Sequence, residues 1–304
     1  MEKNHLKLIS SLLLLLTAVI WGVAFVAQSV GAGYVGPWTF VFSRYVLSTL
    51  VLLPVTLLTD RRAGKTEPAP EKTPIRFYLL GGAACGLLLG IASITQQAGI
   101  QTTTAGKAGF ITALYVVLVP IMAMLLGRRP EKKIWLCVAL GMLGLYLISV
   151  RGGFRIERGD ALVMVCAVVF SMQILSVDYF SPRVLNPVKL ANLQFFFCAV
   201  FALIGMLLFE TPQLSAVLDA AVPILYAGVF SGAVGYTLQI VGQKNTDPAV
   251  ASLLMSLESV FSALAGWLIL HEALSSRELL GCALVFLAVL LAELPVATLL
   301  RKRT

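Results

Sequence analysis

Residues 8–30 read LISSLLLLLTAVIWGVAFVAQSV, a run without a single charged side chain. A bilayer core about 30 Å thick takes about 20 helical residues to cross, so this run reads as a transmembrane helix. Nine similar stretches follow at 37–58, 77–97, 104–126, 132–150, 160–180, 188–209, 222–243, 248–270 and 275–296, separated by short polar turns. The longest hydrophilic segment, 60–76, is a Pro- and charge-rich loop too short for a domain of its own. With 59% hydrophobic and 12% charged residues among 304, a soluble protein would have little polar surface to show water. The expected fold is an all-α integral membrane protein with ten transmembrane helices, acting within or across the bilayer.

The net charge of +8 is explained by where it sits. With the amino terminus placed in the cytoplasm, one side of the membrane collects most of the basic residues. These are Lys3, Lys7, Arg61, Arg62, Lys65, Lys72, Arg76, Arg128, Arg129, Lys132, Lys133, Arg183, Lys189, Lys244, Arg301, Lys302 and Arg303. The other side has Lys107, Arg151, Arg155, Arg158 and Arg277, and Arg44 falls inside a span. This bias predicts both termini on the cytoplasmic side, consistent with an even number of spans. Arg151, Arg155 and Arg158 run against the bias, and nothing in the sequence explains them. Basic residues placed this way orient helices and meet anionic lipid heads; they do not form a nucleic-acid site. Lys3 and Lys7 before a leucine run imitate a signal peptide, but no small-x-small cleavage site follows, so the first helix reads as retained. Cys85, Cys137, Cys166, Cys198 and Cys282 are scattered through apolar spans without metal-ligand spacing and read as small buried hydrophobes.

The chain also matches itself. A shift of 143 sets Gln96 on Gln239, Gly99 on Gly242, Thr103 on Thr246, Ala108 on Ala251, Leu114 on Leu257 and Val117 on Val260. A shift near 150 sets Trp21 on Phe170, Pro37 on Pro187 and Arg44 on Gln194. Apolar segments match by composition alone, whereas polar matches such as Gln96/Gln239 are harder to obtain by chance. The expected repeats are residues 1–150 and 151–304, with five spans each. An odd number of spans inverts the second copy in the membrane, an arrangement of secondary transporters with a midplane site between the copies. Gly82, Gly86 and Gly90 in span three, and Gly228, Gly232 and Gly235 in span eight, permit close helix contact. Pro54 and Pro120 interrupt the backbone ladder inside spans two and four and are hinge candidates. Asp247-Pro248 reads as a capped helix start.

Glu258 stands near the middle of span nine. An ionisable group there costs about 2.5–3.5 kcal/mol on insertion scales, so it must face a partner, a cavity or water. It reads either as a helix-to-helix hydrogen bond or as a direct transport residue, the latter making it a proton-coupling candidate. Arg44 in span two either holds a substrate carboxylate through its fork of donors or ties neighbouring carbonyls. Asp178 and Glu293 read as interfacial and solvated, and Lys107 as snorkelling to the surface. Gln28, Gln96, Gln97, Gln173, Gln194 and Gln239, with the rings of Trp21, Tyr45, Tyr115 and Tyr236, compose a polar, partly aromatic chamber if they face inward. Each amide taken alone is more readily a packing residue. Gly106-Lys107 lacks the spacing of a phosphate loop and Ala108 stands where Ser or Thr is needed, so ATP is not the expected energy source. His5 and His271 lie near span ends, so no metal site, catalytic set or cofactor site is expected.

Four stretches carry a family resemblance: AVIWGVAFV (18–26), FSRYVLSTLVLLP (42–54), TTTAGKAGFITALYVVLVPI (102–121) and LLMSLESVFSALAGWLILHEAL (253–274). Together they resemble the EamA-like, ten-helix members of the drug/metabolite transporter superfamily. Ser259 stands where that family usually has Pro, His271 where Gly precedes Glu272, and Gly127-Arg128 where Gly-Glu is common. The resemblance implies two inverted five-helix repeats around a central cavity, alternating access, and a bacterial cytoplasmic membrane. Its implied cargo is amino acids, related metabolites or drugs. Carried over, the implied cavity residues are Trp21, Arg44, Gln96, Tyr115, Tyr236, Gln239 and Glu258. The expectation is a secondary transporter exporting small polar or amphiphilic metabolites. Uncoupled facilitation or import is the alternative, and an intramembrane enzyme or a non-transporting scaffold lies further off.

Overall fold

The computed structural model describes residues 2–63, 73–103, 105–149, 157–270 and 275–293. Lys65, Lys72, Arg151, Arg155, His271, Glu272, the basic residues 301–303 and the expected repeat boundary at 150/151 lie outside them. All regular structure among the described residues is helical. In order it runs α1 (Glu2–Gly31), α2 (Pro37–Ala63), α3 (Ile75–Ile100), α4 (Ala105–Thr112), α5 (Tyr115–Leu125), α6 (Lys132–Ser149), α7 (Arg158–Phe180) and α8 (Pro187–Phe209). Then come the short α9 (Leu214–Asp219) and α10 (Ala221–Leu225), a π-helical run Tyr226–Tyr236, α11 (Thr237–Gln243), α12 (Pro248–Met255), α13 (Glu258–Leu270) and α14 (Ser276–Glu293).

Eight segments among the described residues are long and apolar enough to cross a membrane, from His5–Gly31 to Pro248–Ile269. The fifth and tenth expected spans correspond to α6 and α14, of 18 residues each, which adjoin undescribed residues; the ten-span count therefore rests on eight full spans and this shorter pair. Large apolar side chains such as Leu126, Leu207, Leu208 and Val222 point outward, while Gln97, Gln173, Gln194, Gln239 and Glu258 are buried. Burying the polar side chains among the helices is what lipid requires, since hydrocarbon satisfies no hydrogen bond.

The helices pair as an inverted repeat demands. α2 and α8, spans two and seven, run antiparallel: Trp38 meets Gly205, Tyr45 stacks on Phe195 at 5.8 Å, and Thr56 accepts from Asn192 at 3.1 Å. α6 and α14, spans five and ten, are antiparallel too, with Gly144 against Gly281 and Val285, and Gly281 against Ile148. The remaining contacts exchange under the same operation. As α3 packs on α7 and α8, span eight packs on α1 and α2; as α4 and α5 pack on α7, α12 and α13 pack on α1.

The α2–α8 pair is clamped reciprocally. At one end Glu210, just past α8, accepts from the backbone N–H of Trp38 (3.0 Å) and Thr39 (2.8 Å) and from the Thr39 hydroxyl (2.6 Å), capping α2. At the other end Asp60 of α2 accepts from Lys189 Nζ (2.7 Å) and from Nδ2 of Asn186 (2.8 Å). Asn186 in turn caps α8 by accepting from the N–H of Val188 and Lys189. Asp60 and Glu210 are 150 residues apart, as are Pro37 and Pro187, which open the two helices.

Spans four and nine are each broken, at 113–114 and 256–257. The helices continue through Pro54 and Pro120, so the interruptions fall elsewhere. Asp247 caps α12 as expected, accepting from the N–H of Ala249 at 2.9 Å. Two expectations of solvated charge are corrected. Asp178 is buried and pairs with Arg128, and Lys107 pairs with the fully buried Asp160 at 3.1 Å. Gly127, in the left-handed region at φ 82°, ends α5, with Arg128 N–H donating back to the Ala123 carbonyl. That turn favours glycine and brings Arg128 beside Asp178. Both ends of α7 are thereby tied to span four.

Replacing Glu210 by Ala should lower stability by about 1–2 kcal/mol, the loss of a helix cap, and replacing Asp60 by Ala by about 1–2 kcal/mol, the loss of two charge-assisted hydrogen bonds, to Lys189 and to the capping Asn186. Because the clamps lie at opposite ends of the helix pair, the double variant should lose close to the sum. Thermal unfolding in detergent measures both.

Candidate functional site

Helix α1 reaches the centre of the protein because Gly22 lets it. A Cβ at this position would lie 2.5 Å from Cβ of Phe261 and 2.8 Å from the Glu258 carbonyl oxygen. The approach sets Trp21 and Glu258 on one cavity. Its wall comprises Trp21, Ala24, Phe25, Gln28, Arg44, Ala92, Ser93, Gln96, Thr112, Cys166, Phe170, Ser231, Tyr236 and Glu258. The volume is about 20 Å³, room for about one water molecule. The wall residues of α1, α2 and α3 lie in the halves of those helices toward the face opposite the amino terminus.

Glu258 opens α13 and Tyr115 opens α5, each just beyond the break in its span. They are 143 residues apart, the repeat interval, and they meet: the Tyr115 hydroxyl donates to Oε1 of Glu258 at 2.9 Å. Trp21 and Phe170, another equivalent pair, also touch, with ring centroids 5.7 Å apart. Equivalent residues can meet only on the axis relating the copies, so this axis passes beside the cavity.

Arg44 is 3% exposed. It donates from one terminal nitrogen to Ser231 Oγ (2.8 Å) and from the other, at 3.5 Å, to Gln28 Oε1. The guanidinium lies 5.0 Å from the Tyr45 ring centroid and 5.8 Å from that of Tyr236. Its Nε has no partner, and among the described residues no carboxylate forms an ion pair with it. A charge desolvated this far and left unpaired is costly. From Arg44 the aromatic wall passes through Tyr236, Trp21 and Phe170 to Tyr115 and Glu258.

The π-helical run shapes one wall. Such runs are rare and gather at functional sites. Carbonyls along it accept from neighbouring helices: Gly228 from the Ser48 hydroxyl (2.7 Å), Ser231 from the Trp21 ring N–H (3.2 Å) and Gly235 from the Thr17 hydroxyl (3.3 Å). Gly232 and Gly235 stand where a Cβ would collide with Ser48 and Trp21. Thus Trp21 is fixed by its own hydrogen bond and by the glycine beneath it.

Of the residues expected here, Trp21, Arg44, Gln96, Tyr236 and Glu258 line the cavity. Tyr115 is fully buried behind Glu258. Gln239 lies elsewhere, donating to Gln173 Oε1 at 3.1 Å, while Gln173 donates to Gln194 Oε1 at 3.0 Å. In this second cluster Gln194 Nε2, Gln239 Oε1 and Gln243 Oε1 are buried without partners, at a cost of about 1–3 kcal/mol each. Ser93, Thr112, Phe170 and Ser231 line the cavity without having been singled out. Phe170 carried a signal as the repeat equivalent of Trp21; the small hydroxyl residues carried none, since they recur throughout the spans.

A family model described as the EamA-like transporter family matches residues 8–150 and 157–294. An uncharacterized transporter of Archaeoglobus fulgidus is 31% identical over 95% of this chain and 87% of its own length. The uncharacterized inner membrane transporter YedA of Escherichia coli strain K12 is 22% identical over 91% of this chain and 88% of its own. A solved crystal structure shares the fold with a TM-score of 0.73 and 19% identity, covering 97% of this chain and 98% of that one.

Gly22→Ala should destabilise the protein by about 1–3 kcal/mol through overpacking against Phe261. Tyr115→Phe, which removes only the hydroxyl that serves Glu258, should cost about 1–3 kcal/mol. Thermal unfolding in detergent with size-exclusion profiles checks both.

Proposed function

The chain belongs to the EamA-like transporter family, and on that footing we propose that it is a secondary transporter exporting small polar or amphiphilic metabolites, amino acids and related compounds foremost, by alternating access. Residues 1–150 and 151–304 are its two repeats, and Trp21, Arg44, Gln96, Tyr115, Tyr236, Gln239 and Glu258 its substrate path. It works in a bacterial cytoplasmic membrane with both termini in the cytoplasm, and needs neither ATP nor a cofactor.

The observation that carries this reading is the unpaired Arg44 on the same cavity as Glu258. A cargo carboxylate supplies the missing anion at Arg44, where a planar fork of donors matches it. A cargo amine suits Glu258, and the rings between them suit a short apolar body. Pockets that enclose small molecules hold about 300–1,000 Å³, so the present cavity of about 20 Å³ is too small for cargo, which enters only when the repeats part. The breaks at 113–114 and 256–257, with Pro54 and Pro120, supply the points of flexure. Protonation of Glu258 couples this motion to a proton gradient. Its hydrogen bond to Tyr115 favours a second reading, in which Glu258 only joins the repeats and movement is uncoupled.

Flux of labelled amino acids and other metabolites into proteoliposomes, with and without a pH gradient, tests the proposal. Saturable flux is expected, and Arg44→Gln should raise KM for carboxylate-bearing cargo at least about tenfold, the worth of a charge-assisted pair. Glu258→Gln should abolish any acceleration by the gradient; flux with unchanged pH dependence assigns the uncoupled reading. Absence of saturable flux for every metabolite class overturns the proposal.

A further inference from the structure

The second amide cluster stands where the repeat would put another cavity. Gln173 is the equivalent of Ala24 by the interval that relates Phe170 to Trp21; Gln194 is the equivalent of Arg44, and Gln239 of Gln96. All three equivalents line the cavity. The cluster lies in the halves of α7, α8 and span eight toward the face carrying the amino terminus, so an inverted copy of the cavity would open there. It is closed in this structure: the three side chains are fully buried and bonded in a chain. Yet polar atoms of Gln194, Gln239 and Gln243 are unpartnered. Residues serving only as packing would not be expected to leave three polar atoms unsatisfied, because buried amides normally find partners.

We propose that Gln173, Gln194 and Gln239 form a second polar half-site, closed here, which becomes hydrated when the protein opens toward the amino-terminal face. The unpartnered atoms are those that bind water and the uncharged hydrogen-bonding groups of the cargo in that state. The half-sites differ in charge: one carries the Arg44 guanidinium, its counterpart the neutral Gln194 amide. An anionic group is therefore favoured on the Arg44 side and gains no such preference on the other. This inference rests on the alternating-access reading above.

Thiol labelling tests it without knowledge of the cargo. Cys166 lines the cavity, so the parent is the full chain with Cys166→Ala, in sealed vesicles of known sidedness. Membrane-impermeant methanethiosulfonates, one cationic and one anionic, are the probes. Added Gln239→Cys should react at least about tenfold faster than the parent, and only from the amino-terminal face. If that variant does not fold, Gln243→Cys, one turn along, carries the same expectation. The anionic-to-cationic rate ratio at Gln96→Cys should exceed that at the cluster thiol at least about fivefold, as expected near a guanidinium. Reaction no faster than the parent's, reaction from the opposite face, or equal ratios at both positions overturns the inference. Metabolite flux in vesicles of the unsubstituted protein separates the two readings. Flux without labelling sinks the half-site alone, whereas labelling without flux sinks the transport assignment and leaves the opening standing.

Discussion

Hydrocarbon offers a helix neither a hydrogen bond nor a hydrophobic reason to touch its neighbour, and this one constraint organises the protein. Contact must come from close backbone approach and from polar groups that pair inside. Both devices recur wherever helices meet. Gly22 admits Phe261, Gly144 and Gly281 face each other, and the glycines of span eight accept Ser48 and Trp21 at their surface. Where a backbone departs from α geometry, in the π-helical run, hydroxyl and indole donors of α1 and α2 reach its carbonyls. A greasy exterior and a hydrogen-bonded interior are two consequences of one solvent.

The second organising fact is the relation between halves. Equivalent helices lie antiparallel, equivalent carboxylates (Asp60 and Glu210) clamp opposite ends of the same pair, and Tyr115 meets its own counterpart, Glu258, on the axis. Side chains have diverged on this common frame. Across the axis a guanidinium has a neutral amide for a counterpart, and a small cavity has a packed chain of glutamines for its counterpart. The frame is symmetric; the chemistry is not.

Polar repeats made much of this legible. Gln96/Gln239, Arg44/Gln194 and Trp21/Phe170 pointed to two copies, and the isolation of Arg44 and Glu258 in apolar runs left each either a packing or a transport residue until both were found on one cavity. Legibility failed where a residue's fate depends on a helix remote in sequence. Asp178 and Lys107, near span ends, read as solvated, yet Arg128 and Asp160 wait beside them. The Gly127-Arg128 departure had no evident purpose until the left-handed turn was seen to bring Arg128 beside Asp178. Gln239 was a cavity residue by family resemblance, and it hydrogen-bonds Gln173 away from the cavity instead.

By itself, the sequence determined that the chain is a bundle of membrane-crossing helices in two related halves. Segment length, apolar continuity and an odd number of spans per half follow from the order of residues and the thickness of lipid. Only the tertiary structure decided which polar side chains share a space, which half of the axis holds the cavity, and that the middle of span eight winds as a π-helix. Those depend on distances between helices brought together by folding, and on which buried donor finds an acceptor first. Neither is encoded in the spacing along any one segment.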